Sequence, residues 1–261
     1  MYHVQCTNEK KVIMAKEQYI YGIRPVIEAI RAGKQVDKLL IQAGLKGSGF
    51  HELFALAKEV EIPYQFVPVE KLNRQSKQNH QGVIAYLTEI VYQKLEDLIP
   101  FIFEQGRTPL ILVLDQVTDV RNAGAIARTA ACSGADAMVI SLYGSAQLNS
   151  DAVKTSAGAI YTLPIVRSAN LKDSLKFLKE SGLSIVAATE KSEKNYTAAR
   201  FTGPVAIIMG SEDKGISPEY LKFADEKVSI PVLGEIDSLN VSVACGILLY
   251  EVVRQRNNLA E

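Results

Sequence analysis

The chain has 261 residues, of which 48% are hydrophobic, and carries 29 basic and 29 acidic side chains. That length allows one large domain or two modest ones with a real core. Balanced charge leaves no global field to attract nucleic acid, so any RNA contact has to come from local patches.

No run of 18 or more apolar residues occurs, and the first residues, MYHVQCTNEKKVIMAKEQ, lack the apolar centre of a signal peptide. A cytoplasmic location without membrane contact is expected. Cys6, Cys132 and Cys245 form no C-x-x-C pair. Cys132 and Cys245 lie in Ala-rich helical segments and read as small buried hydrophobes, so no structural disulfide is expected. His3, His51 and His80 are too scattered for metal-ligand spacing, and no metal is expected.

Residues 1–17 are polar and aperiodic, which suggests a flexible arm or an extended start. Residues 21–30 predict a helix, with Pro25 early and Gly33 near its end. Strands are expected at 38–42 (KLLIQ), 63–68 (PYQFVP) and 82–87 (GVIAYL), with a helix over 52–60. This alternation predicts a small α/β domain over residues 18–90. Within it, residues 71–81 (KLNRQSKQNHQ) read as a loop carrying Lys71, Arg74, Lys77 and His80 among amides. Such a loop is either a solvated connection or an RNA-facing surface, since these residue types reach phosphates and base edges. Pro100 interrupts the apolar segment within residues 91–108, which read as a hinge or packed linker.

From residue 109 the pattern changes. Longer, near-continuously apolar strands are expected at 110–115, 137–141, 183–189, 204–210 and 227–232, alternating with helices. These predict a parallel sheet covered on both faces. No G-x-G-x-x-G follows the first strand, which excludes the dinucleotide fingerprint. After the last strand comes a loop, then Ser238 or Asn240 as cap of a helix reaching residue 253. Its apolar surface is too wide for a single stripe, so burial on more than one side is expected.

Three segments sit just after buried-strand patterns: NAGAIARTA (122–130), GSEDKG (210–215) and IPVLGEIDSLNVSVA (230–244). Asn122 can cap the helix running to residue 133, with Gly134 as its stop. Alone, Arg128 could be a salt-bridge residue and GSEDKG a polar turn. In order, N-x-G-x-x-x-R-T-A, G-x-E-x-x-G and I-P-x-x-G-x-x-x-S-L-N-V-S-V-A resemble the three motifs of the SpoU (TrmH-like) family of RNA ribose 2'-O-methyltransferases. His80-Gln81-Gly82-Val83 is similar to the H-Q-G-V signature of the N-terminal domain in the RlmB-type branch.

The resemblance implies a C-terminal parallel-sheet α/β-knot domain over 109–261, with a deep trefoil knot, and an RNA-binding domain before it. It implies S-adenosylmethionine as methyl donor, bound by Gly210, by backbone groups of Ile230 and Leu239, and by Thr189. Arg128 would act at the ribose hydroxyl together with an RNA phosphate. Literal proton abstraction conflicts with a guanidinium pKa above about 12, so the final proton acceptor is open. Glu212 would order the active-site loops or contact RNA, Ser238 and Asn240 form the polar pair of the third motif, and Asn122 completes the catalytic set. A homodimer through the C-terminal domain is implied, with part of each site supplied by the partner subunit. The expected substrate is a guanosine of bacterial 23S rRNA. The alternatives are tRNA, and a non-catalytic RNA-binding or ribosome-assembly protein on this fold. Asn122, Arg128, Glu212, Ser238 and Asn240 together argue against the last, because binding alone does not need all five.

Overall fold

A computed structural model of the chain describes residues 19–211, 213–235 and 237–258. The expected N-terminal arm, Cys6 and Glu212 lie outside the described residues.

The N-terminal domain runs β1 (Tyr19–Tyr21), α1 (Ile23–Arg31), β2 (Val36–Gln42), α2 (Ser48–Glu59), β3 (Tyr64–Val67), α3 (Val69–Gln75) and β4 (Val83–Leu87). Its four-stranded sheet has the order β1-β4-β2-β3, with only β2 and β3 parallel. Side chains alternate across it with period two. Leu39, Ile41, Val83 and Ala85 face the helices α1 and α2, whereas Leu40, Ile84 and Tyr86 pack with Val67 and Leu72 on the other side. That second cluster explains why residues 71–75, the start of the expected loop at 71–81, belong to a helix over residues 69–75. Leu72 is fully buried, Pro68 precedes the first turn at φ −59°, and Glu70 places a negative charge where the helix dipole favours one.

The C-terminal domain contains β5 (Tyr92–Gln93), α4 (Leu95–Glu104), β6 (Leu110–Leu114), α5 (Val120–Cys132), β7 (Ala137–Ser141), α6 (Ser150–Thr155), β8 (Ile165–Ser168), α7 (Leu171–Glu180), β9 (Ser184–Ala188), β10 (Val205–Met209), α8 (Pro218–Leu221), β11 (Glu226–Val228) and α9 (Val241–Asn257). Seven parallel strands form one sheet in the order β11-β9-β10-β6-β7-β8-β5. Helices α5 and α9 cover one face and α4 and α7 the other, which is why the central strands are apolar on both sides.

Two expectations change here. Residues 91–108 supply an edge strand and a core helix to the large sheet. Pro100 does not stop α4, because it faces solvent while Leu98, Ile99 and Ile102 are buried against the strands. The strand expected over 227–232 ends at Val228, and beyond it only an isolated bridge joins Ser229 to Asn195.

The last turn of α9 is tied down by one guanidinium. Arg256 donates through Nε to Phe201 O (3.2 Å), through Nη1 to Thr108 O (2.8 Å), and through Nη2 to Pro109 O (3.0 Å) and Gly203 O (2.9 Å). These carbonyls lie at the entries to β6 and β10, so the fork joins the helix to the sheet's starting edge. Arg256→Met is expected to lower stability by about 2–4 kcal/mol, seen as a shifted denaturant midpoint at unchanged slope. A loss below about 0.5 kcal/mol would show the clamp to be incidental.

Candidate active site

Strand β6 lies between β10 and β7, so the chain moves away from it in both directions. In open α/β sheets such a switch point leaves a crevice at the carboxyl ends of the strands. The three motif segments follow β6, β10 and β11 at that edge.

A hollow of about 290 Å³ opens there, lined by the ends of β9 and β10 and by residues 228–241. Thr189, Gly210, Ile230, Ser238 and Leu239 all line it. Its walls include the apolar Ala188, Met209, Val228, Val241 and Ala244, while Glu190, Lys191, Asp213, Lys214 and Asp237 supply charges of both signs. An apolar wall with a few polar groups suits a small ligand that carries a ring at one end and charge at the other.

The glycines of the second motif have a geometric cause. A Cβ on Gly210 would lie 2.1 Å from the carbonyl carbon of Gly215 and 2.2 Å from the nitrogen of Ile216, a distance no side chain tolerates. Gly215 has φ +67°, and it exchanges backbone hydrogen bonds with Ser211, at 2.9 Å and 3.2 Å. The segment is thus a closed turn whose main chain forms pocket wall. Asp115, at the end of β6 and only 2% exposed, donates its N–H to Met209 O (2.8 Å) and accepts from Ser217 N (2.6 Å). Gln116 Nε2 adds a bond to Ser217 Oγ at 3.2 Å. Asp115 is not among the site residues expected from the sequence; its signal there is a lone carboxylate closing the run LILVL.

Asn240 is the cap of α9: its Oδ1 accepts from Ser242 N at 2.9 Å, and its Nδ2 donates to Asn122 Oδ1 at 3.1 Å. Ser238 lines the hollow instead of capping. The cap of α5 is Asp119, which accepts from Asn122 N at 2.7 Å, so the expectation that Asn122 caps is corrected. Asp119 holds the extended conformation that a cap needs, and Asn122 already lies within the first helical turn, its carboxamide facing Asn240.

Other motif residues serve packing. A Cβ on Gly124 would meet Ala152 O at 2.8 Å and Thr155 Cβ at 2.9 Å, so the first-motif glycine lets α5 and α6 touch. Thr129 folds its hydroxyl back to Ala125 O (3.0 Å) where α5 approaches Gly246 of α9.

Arg128 lies six residues beyond Asn122, about 9 Å further along α5. It is exposed, its side chain makes no hydrogen bond or ion pair among the described residues, and it lines a separate open hollow with Cys132, Gly158 and Thr162. The salt-bridge reading of Arg128 therefore does not hold, and its own chain's donor pocket does not include it. Cys132, expected to be buried, is exposed on the same face. Cys245 is buried as expected, and burial pushes its thiol up to about 12, so it stays protonated.

Lys71 and Arg74 lie three residues apart on α3, and Lys77 follows; all three are exposed, and their side chains have no hydrogen-bond or ionic partner among the described residues. His80 differs and is corrected: it is 7% exposed, its Nδ1 accepts from Gly82 N (3.0 Å), and its Nε2 therefore donates to Asn73 Oδ1 (2.8 Å). Gln81 accepts from Ile23 N at the start of α1 (3.2 Å), and Gly82 has φ +79°. The H-Q-G-V segment is thus a structural turn, with its imidazole held by hydrogen bonds inside the domain. Among the described residues no group of three or more His, Cys, Asp or Glu is placed to hold a metal ion, and no helix is long and apolar enough to cross a membrane.

Comparison with known proteins agrees with this geometry. The model of the SpoU rRNA methylase family matches residues 109–250, and that for RNA 2'-O ribose methyltransferase substrate binding matches residues 19–93. A Bacillus subtilis protein assigned to the TrmH family of tRNA/rRNA methyltransferases is 33% identical over 94% of this chain and 99% of its own. The AdoMet-bound rRNA methyltransferase from Sinorhizobium meliloti superimposes with TM-score 0.58 at 25% identity, over 90% of this chain and 86% of that one. A TrmH/SpoU tRNA modifying enzyme of A. aeolicus aligns with TM-score 0.55 at 32% identity, over 64% of this chain and 86% of its own. With both domains matched, the chain belongs to the SpoU/TrmH family of S-adenosylmethionine-dependent RNA methyltransferases.

Proposed function

We propose that the protein methylates a ribose 2'-hydroxyl of RNA, on a guanosine of bacterial 23S rRNA, as a cytoplasmic homodimer. The observation that carries this reading is the Asn240–Asn122 hydrogen bond, which holds the starts of α5 and α9 together beside a hollow walled by the glycine turn. In this reading residues 18–90 hold RNA, and residues 109–261, on the sheet that residues 91–108 complete with an edge strand and a core helix, carry the transfer, with the last loops threaded as the family's trefoil knot.

S-adenosylmethionine supplies a methyl group already activated on a sulfonium. What the chain has to add is an in-line hydroxyl and a lower cost for losing its proton, and placement alone is worth several kcal/mol. Thr189, Gly210, Ile230 and Leu239 would hold the donor, with the apolar wall against its ring and the glycine main chain against its polar edges. Asn240, Ser238 and Asn122 orient the ribose, and Glu212 orders the turn or contacts RNA. Arg128 acts as a fixed positive charge with an RNA phosphate.

The place of Arg128 outside its own chain's pocket supports the dimer, in which each Arg128 serves the partner's site. So does the apolar surface beside the pocket and along α9: Leu233 is 97% exposed, and Val243 and Tyr250 are each half exposed. The rRNA choice is supported by extent. The S. meliloti rRNA enzyme aligns over both domains, whereas the tRNA enzyme aligns over 64% of this chain.

The deciding experiment is methyl transfer from labelled S-adenosylmethionine to unmodified large-subunit rRNA and, in parallel, to tRNA. Label in one alkali-resistant dinucleotide of the rRNA is expected; label only in tRNA would keep the chemistry and overturn the substrate. Arg128→Ala and Ile230→Glu are each expected to abolish transfer, the first with donor binding kept and the second with donor binding lost. Mixed dimers of the two should regain activity, because one intact composite site remains. No recovery would place Arg128 in its own chain's site. Replacing Lys71, Arg74 and Lys77 with Ala should flatten the salt dependence of RNA binding by roughly one unit of slope per contact, and an unchanged slope would remove α3 from the interface.

A further inference from the structure

The two domains meet at an irregularity in the smaller sheet. Strand β2 shifts register against β4 between Val36 and Lys38, so Asp37 is left without a partner across the ladder. Such bulges turn a side chain and its carbonyl out of the regular pattern. Here both are taken by Arg167, on β8 of the other domain. Its Nη1 donates to Asp37 O at 3.0 Å, and its Nη2 is paired with the Asp37 carboxylate. The two side chains are only 13% and 14% exposed. The guanidinium also lies over the ring of Tyr92, 3.7 Å from its centroid, and the Tyr92 hydroxyl donates to the same carboxylate at 3.4 Å. Burial pushes that hydroxyl up, which keeps it a donor.

The cores of the two domains are separate clusters, and Asp37 and Arg167 belong to neither, while Tyr92 packs on the edge of the larger one. A pair of apolar residues would fill the junction as well as a buried ion pair does. What a guanidinium adds is direction: its edge is fixed by two acceptors and its face by a ring, which sets the angle between the domains. Two outer contacts follow the same junction, Lys38 Nζ to Gln147 Oε1 at 2.8 Å and Tyr161 OH to Glu89 Oε2 at 3.3 Å.

We infer that Asp37, Arg167 and Tyr92 form an interdomain lock that sets the distance on the RNA between the stretch held by the N-terminal domain and the ribose presented to the transferase pocket. They are positioning residues. The inference rests on the proposed RNA reading for the second half of that statement, and on geometry alone for the first.

The test uses full-length Arg167→Met, Asp37→Asn and Arg167→Lys, each first checked for unchanged S-adenosylmethionine affinity as proof of an intact transferase domain. Small-angle scattering of the free protein is expected to show a larger radius of gyration for Arg167→Met and Asp37→Asn. KM for an rRNA fragment should rise by about tenfold, because an unlocked domain lowers the effective concentration of the second contact, while kcat at saturating RNA is kept. Arg167→Lys should fall between, having charge without the fork. An unchanged radius overturns the lock, and a larger radius with unchanged KM overturns the positioning role. Should the unaltered protein transfer no methyl group, the proposed reaction fails; the radius then still decides the lock, and affinity for the rRNA fragment replaces KM.

Discussion

The catalytic half of this molecule depends on one carboxamide. Asn240 accepts a hydrogen bond from the first turn of α9 and donates one to Asn122 at the start of α5, joining segments 118 residues apart. A serine or an aspartate would cap α9 comparably. Neither serves both purposes so well, because an ionised aspartate has no proton to give and a hydroxyl has to accept and donate at a single oxygen. Asparagine carries acceptor and donors on one rigid plane, and that places the first and third motifs side by side.

Around that bond, the motif residues divide into those that allow close approach and those that face outward. Gly210 and Gly215 permit a turn in which main chain packs on main chain, and Gly124 lets α6 press on α5. Asp115 fixes the same turn from below through Ser217. Arg128 has no such structural role: it stands exposed on a helix whose inner face is alanine and isoleucine. A cation without an ionic partner on so small-sided a helix is free to meet a counter-charge from outside its own chain.

The N-terminal domain shows the same division. His80, Gln81 and Gly82 build a turn and close the start of α1, whereas the exposed cations sit on α3 and just after it. Its attachment to the transferase domain is also specific. The bulge at Asp37 presents a carbonyl and a carboxylate to one guanidinium, so a local defect in the small sheet becomes a directional joint to the large one.

Much of this architecture was legible in the amino-acid order. The central strands stand out because a sheet covered on both faces needs apolar residues at every position, and that requirement is local enough to read. The family resemblance assigned Thr189, Gly210, Ile230 and Leu239 to one site, and all four line one hollow together with Ser238, since each follows a strand that ends at the same edge. Short or conditional elements were not legible. Strand β8 is four residues long and holds an arginine, α3 depends on Leu72 finding a cluster in the opposite sheet face, and α4 tolerates Pro100 only because its other face is buried. The choice of Asp119 over Asn122 as cap, the outward face of Cys132 and the inward turn of His80 were decided by neighbours distant in the chain. The sequence by itself determined which residues can form strands, turns and a reactive set. Only the tertiary structure decided which of them face the pocket, a neighbouring helix or open solvent, because burial and hydrogen-bond partnership belong to contacts that no single stretch of chain contains.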